Sequence, residues 1–302
     1  MADVEPLETV GANLATEAEV IHLPARTFPP VWRHRSLLIG MIVAVAILIV
    51  TIFAPLFSPY NPILQNPNVT FLSPRWGHLF GTDQFGRDLV ARVLYGGRYT
   101  IAGSVVSVLI ATVVGTWLGL LAGYFGGFLD MVIMRLIDLL LAFPGLLLAL
   151  ALATIFGPGL NGTVIAIGIV FIPGTGRIVQ GVTLQASTYM YVEAAQALGV
   201  PSAAIIRHHI LPNVLAQVVV LATTSLGLAT LSVAALGFLG LGLQPPTPEW
   251  GAILNEGRDY VTLAWWVTFF PGLMISLYVT SVNLIGDGLR ELLDPTLAMR
   301  TK

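Results

Sequence analysis

Long apolar runs alternate with short polar breaks along almost the whole chain. Crossing a bilayer takes about 20 apolar residues, and six stretches approach or exceed that length. They are Leu37 to Phe57, Ile101 to Phe125, Met131 to Phe156, Val164 to about Val179, Val214 to Leu243, and Leu263 to Ile285. A long polar segment rich in Pro and Gly, Ser58 to Arg98, follows the first. Gly126-Gly127 and Gly157-Pro158-Gly159 break the chain around the third. Polar segments Gln180 to His209 and Gln244 to Thr262 flank the fifth. Pro144-Gly145 predicts a kink inside the third stretch, and Pro173-Gly174 weakens the fourth. In lipid every backbone polar group must be paired within its own segment, so apolar runs of this length predict helices. The expectation is an all-α, polytopic fold of six transmembrane helices.

Composition agrees with lipid as the main solvent. The 302 residues are 56% hydrophobic and 10% charged, against about 25% charged in soluble domains; mean hydropathy is +0.84. A net charge of −2 gives no electrostatic reason for a nucleic-acid partner. Cysteine is absent, which excludes disulfides, thiolate metal sites and a cysteine nucleophile. The first apolar run begins too late and runs too long for a cleaved signal, so it reads as a retained helix. The acidic start (Asp3, Glu5, Glu8, Glu17, Glu19) predicts a disordered tail.

An even number of spans puts both termini on one side. On that side would lie Arg26, Arg33, Arg35, Arg135, Arg177, Arg207, Arg290, Arg300 and Lys302; Arg75, Arg87, Arg92, Arg98 and Arg258 would lie opposite. The larger share favours cytoplasmic termini. The chain then divides into a cytoplasmic tail (1–36), a first helix (37–57), an extracytoplasmic loop (58–98), a five-helix core (99–290) with a cytoplasmic loop at about 180–212, and a cytoplasmic tail (291–302). The fifth stretch carries Ser225, Gly227, Ser232 and Gly237 among many small residues. Small residues let helices approach closely in lipid, and these four are candidates to line a path.

The loop before the fifth stretch reads Glu193-Ala194-Ala195, then Gly199, then Arg207, His208 and His209, and Leu211-Pro212-Asn213. By itself this is compatible with an interfacial helix ended by Gly199. Together, Glu193, Ala194, Ala195, Gly199, Leu211 and Pro212 resemble the EAA loop of ABC importer permeases. Further segments extend the resemblance over about Leu37 to Pro295: Gly81-Thr82-Asp83-Gln84-Phe85-Gly86-Arg87-Asp88, Leu121 to Gly127, Met131 to Pro144, Phe238 to Gly242, Gln244 to Gly251, Asn283 to Arg290, and Leu293-Asp294-Pro295. The chain is similar to the second, C-type permease of dipeptide, oligopeptide, nickel or glutathione importers.

That resemblance implies a type I (MetI-like) permease core in a bacterial inner membrane. The coupling loop, including Arg207 and His209, would dock as a short helix on an ATPase subunit. It implies a second homologous permease, two ATPase subunits or domains, and an extracytoplasmic binding protein as partners, with lipid around the chain. ATP and magnesium would sit on the ATPases, none on this chain, which has no G-x-x-x-x-G-K-[ST] loop. The cargo would be a di- or oligopeptide, with nickel chelate, glutathione and opine as alternatives. The family often has two Arg residues three apart after the fourth span; here Arg177 is followed by Gln180.

Two rival classes lack their usual groups. A secondary transporter or channel usually carries ionisable groups at mid-membrane, and stretches one, two and five have none. A membrane enzyme needs a nucleophile with a base, or a metal cluster; no catalytic or metal-binding set is expected. Arg135 and Asp138, three apart, are expected to pair on one helix face. His78 reads as a surface residue. Within the motif Gly81, Thr82, Asp83, Gly86, Arg87 and Asp88, Asp83, Arg87 and Asp88 are expected to form a charge network facing a binding protein; a helix cap at Asp88 before an amphipathic turn, Leu89 to Tyr95, is compatible with it. Trp250, Trp265 and Trp266 fit a membrane-interface belt.

Overall fold

A computed structural model describes residues 35–293. The expectations for the N-terminal tail to residue 34, including Arg26 and Arg33, and for Asp294, Pro295, Arg300 and Lys302 lie outside the described residues. The principal helices are α1 (Arg35–Ile52), α2 (Leu89–Phe125), α3 (Gly127–Leu141), α4 (Gly145–Phe156), α5 (Leu160–Ser187), α6 (Met190–Ala197), α7 (Ser202–Phe238), α8 (Trp250–Gly257) and α9 (Trp266–Leu293). Five of them are long and apolar enough to cross a membrane: α1, α2, α5, α7 and α9. The pair α3 and α4 makes a sixth span if its two halves are counted together.

The third stretch is thus more than kinked. Its halves meet at 94° around Ala142, Phe143 and Pro144. Pro144 cannot donate a backbone hydrogen bond and disfavours helical backbone in the residue before it, so the break falls where the sequence put the kink. The second stretch starts earlier than expected. Asp88 caps Leu89, its carboxylate accepting from the Ala91 N–H at 2.8 Å, and Leu89 to Tyr95 is continuous with the span. The fifth begins at Ser202 and stops at Phe238 rather than Leu243. Leu241 and Gly242 donate back to the Leu236 carbonyl and close the helix with a turn. Pro173 and Pro271 lie within α5 and α9 without ending either helix.

Close packing of α2 on α5 holds the centre together. Gly115, Gly119 and Gly123 recur every four residues on one face of α2. A Cβ at any of them would fall 2.6–2.7 Å from Thr175, Gly176 or Val179, or from Gln180 and Thr183, of α5. This is the small-residue contact that drives helix association in lipid, where apolar area alone does not. On the other side α1 packs along α9, where Gly40 meets the Ser281 carbonyl and Gly288 meets Leu37. Ile47, Ile101, Trp250, Ile275 and Tyr278 fill the space among α1, α2, α8 and α9. A separate cluster, with Leu120, Val179, Val192, Ile205, Ile210 and Val214, anchors α6 to the far end of the bundle.

Candidate functional site

The segment singled out by sequence projects from the bundle end opposite residues 58–88. It is held from beneath: Val192 and Ala195 are buried in the cluster shared with α5 and α7. Glu193, Ala194, Ala197 and Leu198 remain exposed, and Met190 and Leu198 are 85% and 84% exposed. The two adjacent alanines therefore separate, Ala194 outward and Ala195 inward. Gly199 ends the helix at φ +75°, a conformation that costs any residue with a Cβ. Pro201 and Ser202 start α7, whose residues Ile206–Ile210 form a π turn. That turn stands directly before Pro212, whose ring would crowd the carbonyl four residues back in a regular α-helix; the wider turn gives it room. Leu211-Pro212 is thus inside the span and not at its start. The Asn213 amide donates to the Tyr191 hydroxyl and the His209 carbonyl, both at 2.8 Å, and ties α6 to the π turn. Arg207 and His208 are exposed, and His209 is half-buried beside Tyr191.

At the opposite end, Gly81 to Asp88 does not face outward. Thr82, Asp83, Arg87 and Asp88 are all buried. The Asp83 carboxylate accepts from the Phe85 and Arg87 N–H groups at 2.9 and 3.0 Å, from Arg87 Nε at 2.6 Å, and from Arg92. Arg87 and Arg92 both reach Glu256 of α8, Arg92 at 2.8 Å. Two cations and two anions thus bind the segment to α2 and α8. Gly86 stands where a Cβ would strike the Asn66 carbonyl. Arg92 and Glu256 were missed as members of this network, because Glu256 lies 169 and 164 positions from Arg87 and Arg92. His78 is no free surface residue: its Nδ1 donates to Asp88 at 2.8 Å and its ring stacks on Tyr60. Trp250 and Trp266 are buried and donate to the carbonyls of Val93 and Thr82 at 2.8 and 3.1 Å; only Trp265 is exposed as a belt residue would be.

Glu249 is fully buried at the start of α8. It accepts from Thr100 at 2.6 Å and from the N–H groups of Gly251 and Ala252 at 3.0 and 2.9 Å. Burial nevertheless raises its carboxyl above the ordinary value of 4.5, outweighing those three donors. Gly237 is the clearance for this side chain, since a Cβ there would collide with Glu249 Oε2.

The small-residue candidates in α7 divide. Gly227 and Gly237 are buried against Asn283 and Glu249, so they serve packing within this chain. Ser225 and Ser232 are half-exposed. A more continuous polar face lies on α9: Thr268, Gly272, Ser276, Thr280, Asn283 and Asp287 recur at helical spacing and are half to fully exposed. The side chains of Thr280, Asn283 and Asp287 have no hydrogen-bond partner among the described residues. A cavity of about 510 Å³ opens at one end of this face, against Thr268, Gly272 and Ser276. Unpaired amide and carboxyl groups facing hydrocarbon would be costly, so this face meets water or polar protein. The four- and three-residue spacing of its polar positions was the signal in the sequence.

Asp138 pairs with Arg177 of α5 rather than with Arg135, which is exposed. Gln180 donates to Asp130 at 2.6 Å. The residue in place of the family's second Arg therefore still bridges α5 to α3, without a charge.

Residues 115–299 match the family described as "Binding-protein-dependent transport system inner membrane component", and residues 31–74 match the "N-terminal TM domain of oligopeptide transport permease C". The dipeptide transport system permease protein DppC of Alkalihalophilus pseudofirmus is 43% identical over 270 residues, 89% of each chain. The di/tripeptide permease DppC of Pseudomonas aeruginosa is 42% identical, over 91% of this chain and 93% of its own. The glutathione transport system permease protein GsiD of Pectobacterium atrosepticum is 46% identical over 74% of each. Among solved structures, an inward-facing MetNI methionine ABC transporter aligns with TM-score 0.54 and 22% identity over 67% of this chain and 96% of that one, a likeness of fold.

Proposed function

This chain belongs to the family of binding-protein-dependent transport system inner membrane components, and from that premise we propose that it carries di- or oligopeptides across a bacterial inner membrane. It is a non-catalytic, multi-pass permease subunit of an ABC importer. A second, homologous permease completes the path. Of the two ATPase subunits, which hold ATP and magnesium, one docks on α6 of this chain, and a binding protein delivers cargo at the end bearing residues 58–88. Both termini then lie in the cytoplasm. The observation that carries the reading is the exposed ridge Met190, Glu193, Ala194 and Leu198, fixed from below by Val192 and Ala195. A ridge with a rigid base transmits a push from a partner instead of yielding to it. Peptide cargo is supported by relatives named for dipeptides and di/tripeptides; the glutathione relative is itself named for a peptide-like solute.

The polar face of α9, with Ser225 and Ser232 of α7, forms this chain's wall of the path. Trp76, 94% exposed at the tip of the Arg75–His78 turn, is the anchor offered to the binding protein. The test is to purify the tagged chain from native membranes in mild detergent and identify what accompanies it. A second permease and ATPase subunits are the expected company. A chain recovered alone, with uptake that follows an ion gradient and ignores ATP, would overturn the proposal.

A further inference from the structure

A cavity of about 570 Å³ opens where α1 ends, between that end, the first turns of α2 and the loop before α8. Its wall includes Ser58, Tyr60, Tyr95, Arg98, Tyr99 and Thr247. One cation lines it, and no carboxylate does. The position of that cation follows from Pro55. A regular helix would continue by donating the residue 55 N–H to the Thr51 carbonyl, and proline has none. Leu56 donates to Phe53 instead, so the Ile52 carbonyl is left open as well. Arg98 takes both: Nε donates to Thr51 at 2.7 Å and Nη2 to Ile52 at 2.6 Å. Tyr95 lies against the guanidinium face at 4.7 Å. Arg98 is thereby held in one orientation, and Nη1 has no partner among the described residues. The hydroxyls of Tyr60, Tyr95 and Tyr99 have none either.

Arg98 holds the last carbonyls of a spanning helix, which sets the cavity at the boundary between hydrocarbon and headgroups. Ile52, Phe53, Leu56 and Phe57 beside it are 50–81% exposed. The site thus combines a fixed cation, unpaired hydroxyl donors, no competing anion and an apolar shelf at bilayer depth. We propose that it binds a phosphate anion carried by a phospholipid: the headgroup of an anionic lipid sits against Arg98 Nη1 and the tyrosine hydroxyls, and its acyl chains lie on the Ile52–Phe57 shelf. The lipid would pin α1, which otherwise joins the bundle chiefly through α9, to the start of α2.

The assembled transporter, purified in mild detergent, is offered phosphatidylglycerol or phosphatidylcholine, and retained lipid is read by native mass spectrometry. Phosphatidylglycerol should be retained about five-fold more, the equivalent of the roughly 1 kcal/mol that one basic group contributes toward anionic lipid. Arg98→Gln should erase the preference, Arg98→Lys should keep most of it, and Tyr60→Phe with Tyr99→Phe should weaken it. Equal retention of the two lipids by the unaltered complex would overturn the site, and that comparison stands even if Arg98→Gln fails to assemble. A preference unchanged in Arg98→Gln would also overturn it. Displacement of the lipid by millimolar inorganic phosphate would make this a free-anion site and sink the lipid assignment.

Discussion

At the scale of single residues, burial separates ion pairs that look alike in the sequence. Arg92 is wholly buried and shares Asp83 and Glu256 with Arg87. Removing it leaves the buried Asp83 and the partly buried Glu256 competing for one cation, a class of change that costs up to about 3–5 kcal/mol. Arg92→Met should therefore lower the thermal midpoint and membrane abundance of the complex sharply. Arg177 and Asp138 are 57% and 43% exposed, and exposed pairs contribute about 0.2–1 kcal/mol. Arg177→Ala should leave both readouts nearly unchanged; if it matches Arg92→Met, burial is not what divides them. Glu249 carries a pH signature. Its carboxyl holds a proton more readily in the folded protein than in the unfolded chain, because burial raises it. The stability it contributes is complete below 4.5 and is lost as pH rises through the raised folded value. The thermal midpoint of the unaltered complex, compared with Glu249→Gln, should fall with rising pH. A midpoint of the unaltered complex that rises with pH relative to that of Glu249→Gln would contradict this sign.

At the scale of elements, α6 is a short helix with a buried underside and an exposed ridge. Leu198→Glu places a charge on the ridge, away from the packed face. Membrane abundance should be normal, while ATP-coupled uptake should fall about tenfold, the loss expected for an anchor worth roughly 1.4 kcal/mol. Ala195→Leu should do the reverse and lower abundance first, since overpacking a buried site costs about 1–3 kcal/mol. Normal uptake by Leu198→Glu would remove the ridge from any docking role. Gly199 has no atom within 4 Å of a would-be Cβ, so Gly199→Ala tests backbone strain alone, about 1–2 kcal/mol at its positive φ.

At the scale of the whole molecule, the question is which face meets water. The chain has no cysteine, so single cysteines can be introduced without first removing any. In the assembled transporter, Thr280→Cys and Asn283→Cys on α9 should react readily with a water-soluble maleimide, and at rates that change when ATP is bound. Ile42→Cys, on the exposed side of α1, should react slowly in either state. Equal rates at all three positions would mean that the polar face of α9 does not line a path.

What the sequence determined by itself was what depends on local pattern and on chemistry close along the chain. Run length dictated helices that span, because unpaired backbone is too costly in lipid. Pro144 placed the break in the third span, and Asp88 the cap before Leu89. The Glu193–Pro212 spacing marked the loop now seen as α6 and the start of α7. Tertiary structure decided which side of each element is covered. The same small residues of α7 read as packing at Gly227 and Gly237 and as exposed surface at Ser225 and Ser232. Arg87 found Glu256, 169 positions away, and turned an expected outer charge network into an inner one. Asp138 found Arg177 in another helix rather than Arg135 in its own. Helical spacing reports which residues share a face, but only packing against the other helices decides what that face meets.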